Sequence, residues 1–364
     1  MMQQMMRGDL ILQNHTEQGY KVMFNTKTGV FVRMENDREQ EPFWCKDGPE
    51  LIDLSITNYC GRECDFCYRQ SNRNGTHMQM SDLENIICQA KDVGVLQIAL
   101  GGGNPNQHPR FVEVLRLIRS SGIVPSYTTN GMGLTDDILK ATAEYCGAMA
   151  ISLYPPYSVE QYSALVDRIA SFDIKLNMHV ILKADTIELM TDWLQKAPPF
   201  FSKLNAVIFL NYKPIVGELN YLVRDRAKFK RFFEAVNECR SVKIGFDSCS
   251  MSGVVQWMKD VKPVFLESCE AARFSAFISE DMKMYPCSFM VNTNMYANLR
   301  EMSLMQIWQE SEAFKNYRNS MQTHACRECD FLHICNGGCR LFPKINMCNE
   351  IKKYNYASNP PIIR

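Results

Sequence analysis

An imbalance of charge is the first thing this 364-residue chain lacks: 40 Lys and Arg face 40 Asp and Glu, with only six His beside them. A net charge of zero argues against a nucleic-acid partner, which normally meets a basic excess, although a local basic groove stays compatible with it. Long apolar runs are missing too. No stretch reaches the ~18 apolar residues of a membrane span, and the opening Met-Met-Gln-Gln-Met-Met-Arg-Gly-Asp holds no apolar core of signal-peptide length. The expectation is a cytoplasmic protein with no membrane partner. Catalytic sets are scarce as well. No Ser/His/Asp trio, Walker loop or His-x-x-x-His pair appears, so hydrolase and nucleotidase readings have no residues to stand on. His108 and His179 are single histidines, read as structural.

Cysteine is what the chain has in plenty: fifteen, an odd count. In a reducing cytosol such cysteines bind metal or do redox work more often than they form disulfides. Cys88, Cys146 and Cys239 sit in helical patterns and read as small core or surface residues. Cys45 stands ahead of the core with no partner nearby in sequence, and the 22 methionines read as flexible core filler. Cys60, Cys64 and Cys67 are different, because they share one short loop with the spacing C-x3-C-x2-C. A [4Fe–4S] cube needs one ligand per iron, usually a thiolate. Three thiolates leave one iron open to a small molecule. Structural zinc wants four protein ligands. The loop offers no fourth, and Cys45 and His77 would have to be recruited from its flanks.

Hydrophobic periodicity sets the frame. Segments 20–24 and 30–34 read as a hairpin whose loop ends at Gly29, followed by a charged linker over 35–41. From residue 51 strands and helices alternate. Strands are expected at 51–56, 95–100, 123–128, 149–153, 174–182, 206–211 and 242–246. Helices are expected from Ser81, with Glu84 completing a capping box, and over 109–120 and 135–145. Such alternation predicts a parallel sheet wrapped by helices. Six or so units are too few for a closed eight-fold barrel, so the fold class is α/β: a partial (β/α)6 TIM-like barrel with a C-terminal cysteine-rich domain. The expected division is 1–48 for the hairpin extension, 49–250 for the core and 251–364 for the cysteine-rich part. Functional loops belong at the C-terminal ends of the strands. The cysteine loop, the turn 101–105, the run 129–131 and Ser152 all fall there. Helical segments are expected near 251–261 and 303–319, and the polar tail 349–364 reads as loosely held.

Seven more cysteines crowd the last hundred residues: Cys269, Cys287, Cys326, Cys329, Cys335, Cys339 and Cys348. C-x2-C at 326–329 places two thiolates on one metal, and Gly337-Gly338 lets the backbone turn tightly beside the next ligand. On spacing alone a zinc ribbon stays open here.

The first loop resembles the cluster motif of the radical SAM superfamily. It follows an apolar strand, and Phe66 stands before the last cysteine, as the aromatic beside the adenine does in that family. Gly102-Gly103-Asn104-Pro105 resembles the family's Gly-Gly-Glu-Pro turn, which meets the methionine amino group, with Asn104 in the place of Glu. Ser152 matches the position that meets the ribose; a plain barrel-interior serine is the competing reading. The second set resembles the SPASM domain, with Met282 standing where that pattern has a glycine. The likeness runs over about 50–348. It implies a [4Fe–4S] cluster that binds S-adenosylmethionine at its open iron, plus one or two auxiliary [4Fe–4S] clusters. Cys269, Cys287 and Cys339 would hold the nearer one, with Cys249 as candidate fourth ligand or else an open iron for a substrate thiol. Cys326, Cys329, Cys335 and Cys348 would hold the farther one. The implied activity is hydrogen abstraction by a 5′-deoxyadenosyl radical. The run 100–109 looks like that of maturases of ribosomally made peptides, which form thioether or carbon–carbon crosslinks. Such an enzyme takes a precursor peptide and a reductant such as flavodoxin or ferredoxin. The N-terminal hairpin could add a leader peptide by edge pairing, or simply cap the sheet. Two rival expectations stand: a formylglycine-forming sulfatase maturase, and a non-catalytic iron–sulfur electron carrier or redox sensor.

Overall fold

The computed structural model describes residues 2–35, 42–215, 219–262, 265–322, 326 and 329–348. The expectation for the tail at 349–364, and most of the charged linker, lies outside those residues. The chain forms two compact units: Met1–Arg62 with Ser71–Met149 and Ala271–Arg318, and Glu63–Gln70 with Ala150–Glu270 and Asn319–Arg364.

The first unit opens with an antiparallel sheet in the order β1 (Met2–Arg7), β2 (Leu10–His15), β3 (Tyr20–Asn25) and β4 (Phe31–Glu35). Alternation of side chains across a strand explains β2 and β3. Ile11, Gln13 and His15 are buried on one, Tyr20, Val22 and Phe24 on the other. Ile11, Tyr20, Val22 and Phe24 pack with Cys45, Leu96, Val124 and Phe274 into one cluster. Each such side chain contributes about 1.5–3 kcal/mol, so this sheet shares a core with the rest of its unit. Sequence reading missed β1: its residues lack apolar alternation, and five of its six side chains are exposed.

β5 (Leu51–Thr57), β6 (Gln97–Gly102) and β7 (Val124–Thr129) run parallel in the order β7-β6-β5, and β12 (Ser275–Ile278) adds to β5 in parallel. β13 (Lys283–Tyr285) and β14 (Ala297–Asn298) extend that edge antiparallel. Between the parallel strands lie α1 (Met80–Asp92), α2 (Phe111–Ser120) and α3 (Asp136–Tyr145). α1 burying Leu83, Ile86, Ile87 and Ala90 agrees with the periodicity, but the Ser81–Glu84 capping box does not form. The helix begins one residue earlier, behind Gln79, which carries no side-chain cap. The region 303–319 holds two helices, α8 (Leu304–Glu310) and α9 (Glu312–Gln322), broken at the extended Ser311.

β8 (Ala148–Ser152) carries the boundary between the units. In the second unit β9 (Leu176–Leu182), β10 (Ala206–Asn211) and β11 (Ile244–Phe246) are parallel neighbours. α4 (Val159–Ala170), α5 (Thr186–Lys196), α6 (Arg226–Glu238), α7 (Met251–Trp257) and the short α10 (Leu332–Cys335) complete it. The run β5-α1 through β10-α6 makes six strand–helix units, the (β/α)6 pattern that the alternation predicted. Along β9, buried Leu176, Met178, Val180 and Leu182 alternate with half-buried Asn177, His179 and Ile181.

Among the described residues no helix is long and apolar enough to cross a membrane.

Candidate functional site

In the first unit, three strand ends meet at Cys60. Gly103 N–H donates to Thr57 O at 2.7 Å and Asn104 N–H to Tyr59 O at 2.9 Å, so the glycine turn zips onto the residues leading into the cysteine loop. That approach demands the glycines. A Cβ on Gly102, whose φ is +104°, would lie 2.2 Å from Ser55 Oγ, and one on Gly103 would lie 2.0 Å from Tyr59 O. The glycines therefore let backbone meet backbone here.

Asn104 is 1% exposed and both ends of its amide are hydrogen-bonded. Its Oδ1 accepts from Asn130 N–H at 3.1 Å and lies 3.0 Å from Thr129 Oγ1, while its Nδ2 donates to Met132 O at 2.9 Å. Asn106 repeats the pattern, with Thr129 Oγ1 at 2.6 Å and Met132 O at 2.7 Å. This network fixes the end of β7. It aims Asn130 so that its Nδ2 donates to Cys60 Sγ at 3.4 Å. Asn130 lies in the run 129–131 that the sequence placed among the functional loops, without a role of its own. Cys60 N–H in turn donates to Asn72 O at 3.0 Å.

Cys64, Phe66 and Cys67 belong to the second unit. Cys67 N–H donates to Cys64 O at 3.1 Å, a tight turn that presents the two thiols from one loop. Phe66 sits among Tyr154 and Tyr221, with ring centroids 6.0 and 5.8 Å away. The Lys183 ammonium lies 4.2 Å from the Phe66 centroid and 5.0 Å from that of Tyr221, and pairs with Asp185 at 3.0 Å. Tyr154 stacks near-parallel to this half-buried ring, Tyr221 meets it edge-on and the Lys183 ammonium lies over it, an aromatic and cationic cluster of the kind that suits a flat heterocycle. Lys183 and Tyr221 escaped the sequence reading. Ser152 ends β8 half-buried, its carbonyl accepting from the Tyr162 hydroxyl at 3.1 Å.

Four of the later cysteines, those that the resemblance assigns to the farther cluster, come together. Cys326, Cys329, Cys335 and Cys348 line one cavity, together with the apolar Phe331 and Leu332. Cys329 N–H donates to Cys326 O at 3.0 Å, closing the C-x2-C turn. Burial, then the neighbouring Cys348, Cys326 and Cys329, push the Cys335 thiol up to about 12. Four thiols gathered on one pocket form a soft, sulfur-rich donor set. Softness, number and burial all suit an iron–sulfur cluster. The tight turn is present: Asn336, Gly337 and Gly338 all take positive φ, and a Cβ on Gly338 would lie 2.3 Å from Asn346 Oδ1.

A second set gathers at the ends of β10 and β11. The Cys249 and Cys339 side chains are hydrogen-bonded, and that bond, burial and the charge of Cys249 and Cys269 hold the Cys339 thiol well above its ordinary range. Cys249 is held below its own range by the same bond, against burial, and by Lys213. Three clustered thiols facing a lysine suit the same kind of cluster. Cys287 follows β13 in the first unit. Met282, in the glycine position of the resembled pattern, takes φ +68° in the turn between β12 and β13. The left-handed backbone is kept without the glycine, at a cost of order 1 kcal/mol, offset by a side chain that is 1% exposed.

Cys45 has partners that sequence did not show. His15, Cys45 and Glu50 bring ligand-type atoms within 4.8 Å of one another. However, Arg33 already meets Glu50 Oε2 through Nη2 at 2.7 Å and Nε at 2.8 Å. Burial drives the Cys45 thiol up to about 12. The cation is supplied by Arg33, so this cluster is structural. His108 is structural too, its Nε2 3.1 Å from Met78 O.

Residues 54–155 match the Radical SAM superfamily, and residues 269–330 match SPASM, an iron–sulfur cluster-binding domain. The chain is similar to the PqqA peptide cyclase of Bradyrhizobium diazoefficiens, 22% identical over 322 residues that cover 80% of this chain and 81% of that protein. Among solved structures it resembles Streptococcus suis SuiB bound to precursor peptide SuiA, with a TM-score of 0.72 at 16% identity, covering 93% of this chain and 96% of that one. It also resembles anSMEcpe with bound AdoMet and Cp18Cys peptide, with a TM-score of 0.61 at 17% identity over 84% and 95% of the two chains. These structures share its fold. The cofactors that go with the two matched domains are [4Fe–4S] clusters and S-adenosylmethionine. The chain is thus a radical SAM enzyme, with that superfamily's core ahead of a SPASM cluster-binding domain.

Proposed function

We propose that this enzyme modifies a ribosomally made precursor peptide by forming a thioether or carbon–carbon crosslink. The observation that carries the reading is likeness along most of the chain, through both cysteine sets, to a peptide cyclase and to a fold solved with its precursor peptide. Cys60, Cys64 and Cys67 would hold the S-adenosylmethionine cluster. Phe66 would stack on the adenine, Gly102, Gly103 and Asn104 would shape the methionine end, and Ser152 would meet the ribose. When bound, these cofactors supply a reducing electron and a hydrogen-abstracting radical, which is the hard chemistry. The chain's own part is placement. Asn130 donates to Cys60 Sγ, and the amide network behind it holds three strand ends rigid. Cys249, Cys269, Cys287 and Cys339 would hold one auxiliary cluster, and Cys326, Cys329, Cys335 and Cys348 the other. A flavodoxin or ferredoxin in the cytoplasm would supply the electron.

The test uses anaerobically reconstituted enzyme with S-adenosylmethionine, dithionite and the short peptide encoded beside its gene. The expected result is 5′-deoxyadenosine and a peptide lighter by two hydrogens that carries no aldehyde. An aldehyde in the product would instead mark formylglycine chemistry. No 5′-deoxyadenosine from protein with intact clusters would mark an electron carrier.

A further inference from the structure

We propose that Lys213 is a positioning residue whose buried ammonium sets the reduction potential of the cluster held by Cys249, Cys269 and Cys339. The inference rests on the ligand assignment just given. Lys213 lies two residues beyond β10, and its side chain is 5% exposed. Its partner is Asp247, 2.5 Å away, beyond the end of β11. Asp247 is itself held firmly. Its Oδ2 accepts from Asn211 N–H at 3.1 Å, its Oδ1 from the Ser250 hydroxyl at 2.6 Å, and its N–H donates to Phe209 O at 2.9 Å. The ammonium therefore cannot swing away to water.

An ammonium has three protons to donate, and Asp247 does not exhaust them. Cys249 is the next acceptor: Asn211, whose N–H holds Asp247, also donates through Nδ2 to Cys249 O at 3.2 Å, the Lys213 charge acts on the Cys249 thiol, and Cys249 interacts with Cys339 in turn. As a fold-stabilising device this arrangement is poor, because burying an ion pair costs about as much as the pair returns. As a device for a cluster it makes sense. A cube on thiolates becomes more negative when reduced. Hydrogen bonds to its sulfurs and a fixed nearby cation favour that reduced form. Lys213 would thus raise the potential and ready the cluster to accept an electron from the substrate side, while Asp247 holds the cation and moderates its effect.

The experiment is a dye-mediated redox titration of reconstituted full-length enzyme, followed by electron paramagnetic resonance, with iron counted in every sample. Lys213→Met should lower this cluster's midpoint, raising its oxidised-to-reduced ratio at fixed poise by about tenfold, or ~59 mV for one electron. Asp247→Asn should shift it the opposite way, and Lys213→Arg should restore most of the wild-type value. The other clusters serve as internal standards and should stay put. If Lys213→Met loses the cluster, the opposite-signed shift in Asp247→Asn still decides. Full iron with an unmoved midpoint in both Met and Asn variants overturns the role of Lys213. Wild-type protein that never binds iron at these cysteines overturns the ligand assignment instead.

Discussion

His179 shows how one side chain ties stability to pH. Burial of its ring lowers its pKa to about 4, against some help from the Asp247 charge. The unfolded chain takes up that proton below about pH 6.5, whereas the folded chain refuses it until about pH 4. Stability must therefore fall as pH drops through this window. At pH 5.5 the loss amounts to about 1.4 kcal/mol. Replacing His179 by Gln should shrink the difference in urea-unfolding free energy between pH 7.5 and 5.5 by roughly that amount. The remaining slope belongs in part to His15 and His108, which burial also lowers. An unchanged difference in the variant would show that the ring is not held neutral by the fold. Asn104 teaches a related lesson. It stands where the resembled turn has Glu, and its amide bonds within the protein, to partners 25 or more residues away along the chain. Residue type announces polarity; only packing says where that polarity is spent.

Among the elements, β1 is the one whose surface invites a partner. It forms the outer strand of the four-stranded sheet, and its Met5 and Met6 are 52% and 60% exposed. In an antiparallel pair, neighbouring residues direct their backbone groups to opposite sides. One of Met5 and Met6 therefore presents its N–H outward, ready to pair with an added strand. If a leader peptide docks there, one of the two prolines, Met5→Pro or Met6→Pro, should weaken precursor binding about tenfold with little change in melting temperature. Fluorescence anisotropy with labelled precursor would measure it; equal affinity in both variants would rule out this edge. Deleting the whole sheet is a poorer test, because Ile11, Tyr20, Val22 and Phe24 cover Leu96, Val124 and Phe274. The strand β3 was legible because Tyr20, Val22 and Phe24 alternate along it. β1 was not, since an edge strand with one covered side needs no such pattern. The helix α1 was legible for its buried face and misread at its start, which lies behind an extended Gln79 that makes no side-chain cap.

At the scale of the molecule, the two later thiol sets predict iron stoichiometry. Three complete cubes give ~12 iron atoms per chain. Cys335→Ala breaks the set that lines the cavity with Cys326, Cys329 and Cys348. Reconstituted variant protein should keep roughly two-thirds of the iron, and should still cleave S-adenosylmethionine with dithionite as electron donor. Colorimetric iron analysis beside 5′-deoxyadenosine quantitation would check both; full iron retention would mean these four thiols do not form one site.

The order of residues alone showed two sets of closely spaced thiols and the alternation of strand and helix. Both are local: spacing within one loop and periodicities of two and 3.6 need no partner to be read. Tertiary structure alone decided which distant groups meet. It brought Asn130 to Cys60, Cys249 to Cys339 and Lys213 to Asp247, and it turned the amide of Asn104 inward. Such pairings depend on how strand ends converge, and no spacing along the chain encodes that.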